Sequence, residues 1–217
     1  MMERESWQVL EEGLERFGIM ERELYRGLET FIRELERWNP RFGFVRASGK
    51  EIVVKHVLDS LAGVSHFRML DPPRVADLGS GAGFPGIPLA LALPHIRFTL
   101  IEPSRKRAAF LKSVQSLLKA TNLRILETDL AFLGRHLEKA ERFPCLTFRA
   151  FRPLTRKGLN QMLDILQDRG SIVAYKGKRE QTEQEACIAE QVGLHAQIVP
   201  LTVPFLEEER NLLWLSR

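Results

Sequence analysis

Cysteine is almost absent from this chain. Its 217 residues hold two, Cys145 and Cys187, far apart and with no CxxC spacing. That excludes a disulfide framework and a cysteine-based zinc site, and it points to a reduced, cytoplasmic protein. The five histidines (His56, His66, His95, His136 and His195) form no HxxxH or HExxH pair, so no protein metal site is expected. Long hydrophobic runs are also missing. A bilayer span needs roughly 20 consecutive apolar residues, whereas the most apolar stretch, Gly86 to Leu93, is short and punctuated by prolines. The opening "MMERESW" is charged from its third residue and does not read as a signal peptide. Neither an internal repeat nor a low-complexity tract is present, and the GxxxxGK[ST] of a P-loop does not occur.

What the chain does have is an uneven distribution of charge. Residues 1–70 carry 11 basic and 12 acidic side chains, residues 71–180 carry 19 and 10, and residues 181–217 carry 2 and 6. The middle segment therefore stands at +9 between flanks of −1 and −4. A local excess of this kind suits a polyanionic partner better than a uniformly basic surface does, the plainer alternative being a solvated face.

Periodicity divides the chain at about residue 70. Leu10, Leu14 and Phe17, then Leu24, Leu28, Phe31, Ile32 and Leu35, recur at three- and four-residue steps, predicting two amphipathic helices broken near Gly18 and stopped by "NPRFG". A further helix is predicted over about 51–63. Residues 1–70 thus read as an N-terminal helical extension packed on the core, and 71–217 as the main domain. In the main domain apolar strands at "RVADLG", "IRFTLIE", "LRILETD", "PCLTFRA" and "SIVAYKG" alternate with helices, one of them spanning 157–168. This is the pattern of a mostly parallel α/β sheet. The tail, "LHAQIVPLTVP" and "NLLWLSR", reads as two strands with no helix between them, an antiparallel terminal pair.

"VADLGSGAGFPGIPLAL" follows the first strand directly. Gly79, Gly81 and Gly83 make a GxGxG rather than the GxGxxG of dinucleotide sites, because Phe84 takes the last position. Asp77, Glu102 and Asp129 close the first three strands. Ligands of open α/β sheets bind at those strand ends, where a carboxylate can accept ribose hydroxyls (Glu102) or an adenine amine (Asp129). Three aligned acids suit a ligand with a cationic end and oppose a pyrophosphate. The alternative is that each acid caps a helix. With the antiparallel tail, these features are the pattern of class I S-adenosylmethionine-dependent methyltransferases, a Rossmann-like fold. After the fourth strand, "FRAFRPLTRKG" offers Phe151 for stacking on a splayed base and Arg149, Arg152, Arg156 and Lys157 for phosphates, while Lys176, Lys178 and Arg179 follow the fifth strand and should face the same mouth. Arg149 and Lys176 are the strongest candidates for a part in the reaction. The alternative places Phe148 and Phe151 in the core and leaves the cations solvated. Cys145, near the start of the fourth strand, reads as core.

"DLGSGAGFPGIPLALALP", with "KHVLDSL" upstream, "FRAFRPL" after the fourth strand and "AYKG" at the end of the fifth, resembles the ribosomal RNA small subunit methyltransferase G family (RsmG/GidB, glucose-inhibited division protein B) over about residues 38–217. The resemblance implies a bacterial cytoplasmic enzyme, here expected to be a monomer, that uses S-adenosyl-L-methionine to methylate N7 of a guanine in the decoding-region loop of 16S rRNA. It also implies cofactor contacts at Gly79, Phe84, Asp129, Leu130 and Arg149, adding to the acids and glycines read from the strand ends. The segment after "WN", residues 42–48, departs from the family's usual string, as does Phe148 before the Arg-Ala pair. Guanine N7 bears no proton and presents its lone pair outward, so its methylation obliges no catalytic side chain. Competing readings are a small-molecule methyltransferase, which would carry an apolar lid rather than a basic mouth, and an inactive cofactor-binding assembly factor of the ribosome. A nicotinamide-dependent oxidoreductase is disfavoured by GxGxG and the antiparallel tail.

Overall fold

A computed structural model describes residues 3–68, 70, 73–150 and 154–217. The chain opens with α1 (Arg4–Arg16) and α2 (Arg22–Phe42). Each buries one stripe, Leu10 and Leu14 in α1 and Leu24, Leu28, Phe31, Ile32 and Leu35 in α2, as the sequence spacing requires. Gly43, left-handed at φ 61°, ends α2 by donating its amide to the Asn39 carbonyl. The Asn39 side chain then bonds both the amide and the carbonyl of Val45, and Phe42 and Phe44 stack at 5.5 Å. Residues 42–45 of the departing segment therefore seal the end of α2.

The predicted helix at 51–63 is a composite of α3 (Lys50–Ile52), a π-helical turn (Val53–Leu58) and α4 (Asp59–Leu61), followed by the short α5 (Val64–Phe67). Strands β1 (Arg74–Leu78), β2 (Arg97–Ile101), β3 (Leu123–Leu126), β4 (Phe143–Arg149) and β5 (Leu166–Lys176) are parallel. The crossovers between them carry α6 (Gly86–Ala92), α7 (Arg105–Leu118), α8 (Leu130–His136) and α9 (Arg156–Ile165). After α10 (Arg179–Glu190), strands β6 (His195–Leu201) and β7 (Arg210–Ser216) pair antiparallel, and β7 also runs antiparallel to β5. The order is β3-β2-β1-β4-β5-β7-β6.

Two differences from the sequence reading have local causes. The helix expected over 157–168 stops at Ile165, and β5 starts at Leu166 with a register shift against β4. Gly170 permits this, since a side chain there would press on Leu166 and on the Pro144 carbonyl, 2.9 Å from its Cβ position. The sequence reading assigned no helix to 179–190, where α10 lies. The face α10 buries is only Thr182, Ala186 and Ala189, too small to register as an apolar stripe.

The sheet separates two apolar layers. One face carries α1–α7, and its core runs from Leu10, Leu28 and Phe31 through Val57 and Leu58 to Phe98, Phe110 and Val173. The other face carries α8–α10 on Leu146, Phe148, Ile172 and Ala174. The N-terminal helices thus share a continuous core with the sheet. Cys145 belongs to that core, where burial pushes its thiol up to about 12.

Candidate functional site

The loop after β1 is held from below by two buried carboxylates. Asp77 accepts the Gly86 amide on Oδ2 at 3.1 Å, and Glu102 accepts the Gly81 amide on Oε2 and the Ser104 amide on Oε1, each at 2.9 Å. The amides of Gly79 and Ser80 reach back to the Ile101 carbonyl. Gly79, Gly81 and Gly83 all have positive φ, at 65°, 58° and 92°, which is why the turn needs glycine. Gly86 is small for a separate reason: a Cβ there would lie 2.5 Å from Asp77 Oδ2.

Asp77 is fully buried, and its Oδ1 has no hydrogen-bond partner. Burial pushes its carboxyl up to about 7, with the nearby Glu102 adding to the rise, against hydrogen bonds from Ser80 and Gly86 and the field of Arg149. A buried orphaned acceptor beneath a glycine turn is a place where a donor on a bound molecule would be satisfied.

Beside this loop a cavity of about 610 Å³ opens at the carboxyl ends of β1, β2 and β3. Leu78, Gly79, Ile101, Asp129, Leu130 and Met162 line it, and Lys157 reaches it from α9. It is more apolar than charged and within the size range of cofactor sites. Asp129 also caps α8, its Oδ1 accepting the Phe132 amide at 2.8 Å. Of the predicted cofactor residues, Gly79, Asp129 and Leu130 line the cavity. Asp77, Gly81, Gly83 and Glu102 form the braced turn behind it. Glu102 is therefore first a strut for the loop.

Phe84 differs from expectation more sharply. Phe84 is only 5% exposed and does not line the cavity. Phe31 lies 5.1 Å away, His56 stacks on it at 5.1 Å, and the Arg149 guanidinium lies 5.0 Å from its centroid. Arg149 donates to the Lys55 carbonyl (2.9 Å), to Asp59 Oδ2 (2.9 Å) and to His56 Nδ1 (2.7 Å). Asp59 meets Arg210 of β7 through its other oxygen at 3.2 Å. Burial, then the charges of Arg149, Lys55 and Arg210, push His56 down to about 3, so its ring is neutral. Because a guanidinium can only donate, Nδ1 accepts and the ring proton sits on Nε2. His56, Asp59 and Arg210 were given no individual role from sequence. "KHVLDS" places the first two one helical turn apart, a readable signal, whereas nothing local marks Arg210.

The expected basic mouth divides. Phe151 and Arg152 lie outside the described residues. Arg149 and Tyr175 are register partners, so Lys176 points to the opposite face of the sheet from Arg149. There Lys176 pairs with Glu185 of α10 at 2.5 Å and lies over Phe148, which is core. Lys176 therefore leaves the sheet on the opposite face from Arg149. Arg179 pairs with Glu183, Arg156 donates to Gln191, and Lys178 is the N-cap residue just before α10. Lys157 is the member of this set placed at the cavity.

This strand order, with its reversed last pair, glycine turn and adenosine-sized cavity, defines a class I S-adenosylmethionine-dependent methyltransferase. Solved structures agree on the fold. An O-methyltransferase from Bacillus cereus in complex with SAH superposes with TM-score 0.63 at 14% identity, covering 98% of this chain and 99% of that one. A SAM-dependent methyltransferase from Aquifex aeolicus gives 0.62 at 13% identity over 86% and 98%. The family described as rRNA small subunit methyltransferase G matches residues 24–213. Ribosomal RNA small subunit methyltransferase G of Treponema pallidum is 38% identical over 191 residues, 86% of this chain and 82% of the relative. The Polynucleobacter asymbioticus protein of that name is 34% identical over 94% and 92%. The chain belongs to the rRNA small subunit methyltransferase G family.

Proposed function

We propose that the protein transfers a methyl group to N7 of a guanine in the decoding-region loop of 16S rRNA. Family membership supports the ribosomal substrate, and the observation that carries the chemistry is the cavity at the strand ends, bordered by the glycine turn under which the Asp77 oxygen is orphaned. S-adenosylmethionine fits this donor set, with an ammonium for Asp77 and an adenosine for the pocket of Gly79, Asp129, Leu130 and Met162. When bound, it supplies an activated methyl group on a sulfonium.

The chain's own residues hold and orient. Asp77 Oδ1 would accept from the cofactor's ammonium while the Gly86 amide fixes Oδ2. Glu102 keeps the glycine turn in shape. Guanine N7 needs no base to remove a proton. His56 is in keeping with that requirement: its Nδ1 is occupied by Arg149 and its ring is held neutral, so it is not poised to take a proton. Rate enhancement then comes from aligning nucleophile, methyl and sulfur. The test is incubation with labelled S-adenosylmethionine and 16S rRNA lacking the modification, followed by nucleoside analysis. Labelled 7-methylguanosine is expected. Transfer to small molecules but not to RNA would overturn the proposal.

A further inference from the structure

On the face of the sheet that carries α8–α10, the amino ends of β1, β2 and β3 are left open. The crossover from β3 to β4 covers that area only with the seven-residue α8 and one 3-10 turn, Lys139–Glu141. The result is a groove of about 780 Å³, floored by the strands and walled by Leu133 and Leu137. Thr99, midway along β2, is only half-buried at its floor.

Three adjacent strands each place an arginine in this groove: Arg74, Arg97 and Arg124. Arg74 is the register partner of Arg97, and Arg124 that of Thr99. Alternate residues of a strand share a face, so the three side chains project together across two interstrand spacings, roughly 10 Å. Among the described residues none of the three has a carboxylate partner. Arg74 donates to the Glu141 carbonyl at 3.0 Å. The acids lining the groove are engaged elsewhere: Glu127 pairs with Lys112 at 3.0 Å, and the Glu141 carboxylate accepts the Glu138 amide of its own turn. Three gathered cations repel one another until an anion arrives. Thr128 lines both this groove and the cofactor-side cavity, and α8 walls both.

We infer that this groove binds the phosphate backbone of the RNA substrate at a segment away from the target base. Cations spread over three strands match successive phosphates better than a single anion. Such contacts set the register of the RNA without reading its sequence. The inference rests on the reading of the protein as an RNA methyltransferase.

The test compares wild type with the R97Q/R124Q double variant, using protein-free small-subunit ribosomal RNA lacking the modification, in a binding titration across salt concentrations. Arg97 and Arg124 are exposed, so cofactor affinity and thermal midpoint are expected to stay unchanged. RNA affinity is expected to fall about tenfold or more. The slope of log K against log salt should fall by about 1.4 to 1.8, corresponding to two lost phosphate contacts. The rate at saturating RNA should be retained. Unchanged affinity and slope would overturn the inference. So would weakened binding to assembled subunits with no change on naked RNA, which would identify an acidic protein partner instead. If the double variant loses cofactor affinity, the R97Q and R124Q single variants decide, each expected to remove about half of the slope change. Wild-type protein that binds RNA through this groove but deposits no methyl group would refute the proposed activity and leave the groove standing. Methylation with unaltered variant affinity would do the reverse.

Discussion

Asp77→Asn should make the ligand-free protein more stable above neutral pH while abolishing cofactor binding. In the folded chain burial pushes the Asp77 carboxyl up to about 7 from an ordinary value of 3.8. Because the folded value lies above the unfolded one, the folded state holds the extra proton between those limits. The stability this confers is fully present below about pH 4 and is lost as pH rises through 7. About three pH units at about 1.4 kcal/mol each set a ceiling of roughly 4 kcal/mol on that loss. Asparagine keeps the shape and leaves an oxygen for the Gly86 amide but carries no charge to bury. Its NH2 then stands where Asp77 Oδ1 is orphaned and would meet a donor on the cofactor with a donor. Urea unfolding of both proteins at pH 5 and pH 8 measures the first effect, and calorimetric titration with S-adenosylmethionine the second. The wild type should lose stability between the two pH values by more than the variant does. The variant should be the more stable of the two at pH 8 and show at least ~100-fold weaker binding, the scale of a lost charge-assisted contact. Parallel stability profiles, or an Asn variant less stable at pH 8, would refute the assignment of Asp77 as a strained, buried acid kept for a ligand.

Asp59→Ala removes the acid facing both Arg149 and Arg210. Breaking a buried pair costs about 3–5 kcal/mol, so a thermal melt should show the midpoint lower by roughly 6 °C or more, and a fall within ~2 °C would argue that the network is dispensable. Gly86→Ala would drive a methyl to 2.5 Å from Asp77 Oδ2 and 3.0 Å from Leu100 Cδ1. Overpacking of about 1–3 kcal/mol and loss of cofactor affinity are expected together, and normal calorimetric binding would contradict the bracing role. Lys176→Met strands Glu185 on a largely covered surface, the two side chains being 11% and 16% exposed. Denaturation should report a loss of about 2 kcal/mol, the scale of leaving a mostly covered polar group unsatisfied, with RNA affinity within about twofold, and a large affinity loss at unchanged stability would return Lys176 to the RNA-binding face.

Glycines at 79, 81 and 83, the carboxylates at three strand ends and the terminal antiparallel pair were legible because each rests on a local rule of backbone sterics or strand chemistry. Helix α10 was not legible, since a face of alanine and threonine carries almost no hydrophobic signal. How the cations of "FRAFRPLTRKG" and "AYKGKR" divide between the two faces was not legible either. Sequence shows that two strands end in cations, but only the pairing of Arg149 with Tyr175 shows that Arg149 and Lys176 leave the sheet in opposite directions.

The sequence by itself determined the kind of sheet, the turn that needs positive φ and the chemistry available at each strand end, because these depend on residues within a few positions of one another. Tertiary structure alone decided which of those groups meet. It seated Phe84 under His56 and Arg149 instead of in the open cavity, and it joined Asp59 to an arginine from the last strand. It left Arg74, Arg97 and Arg124 together in a groove over a thinly covered stretch of sheet. Burial, register and the thin cover over those strand ends are properties of the packed chain. They set which charges are paired, which are strained and which are open to a partner.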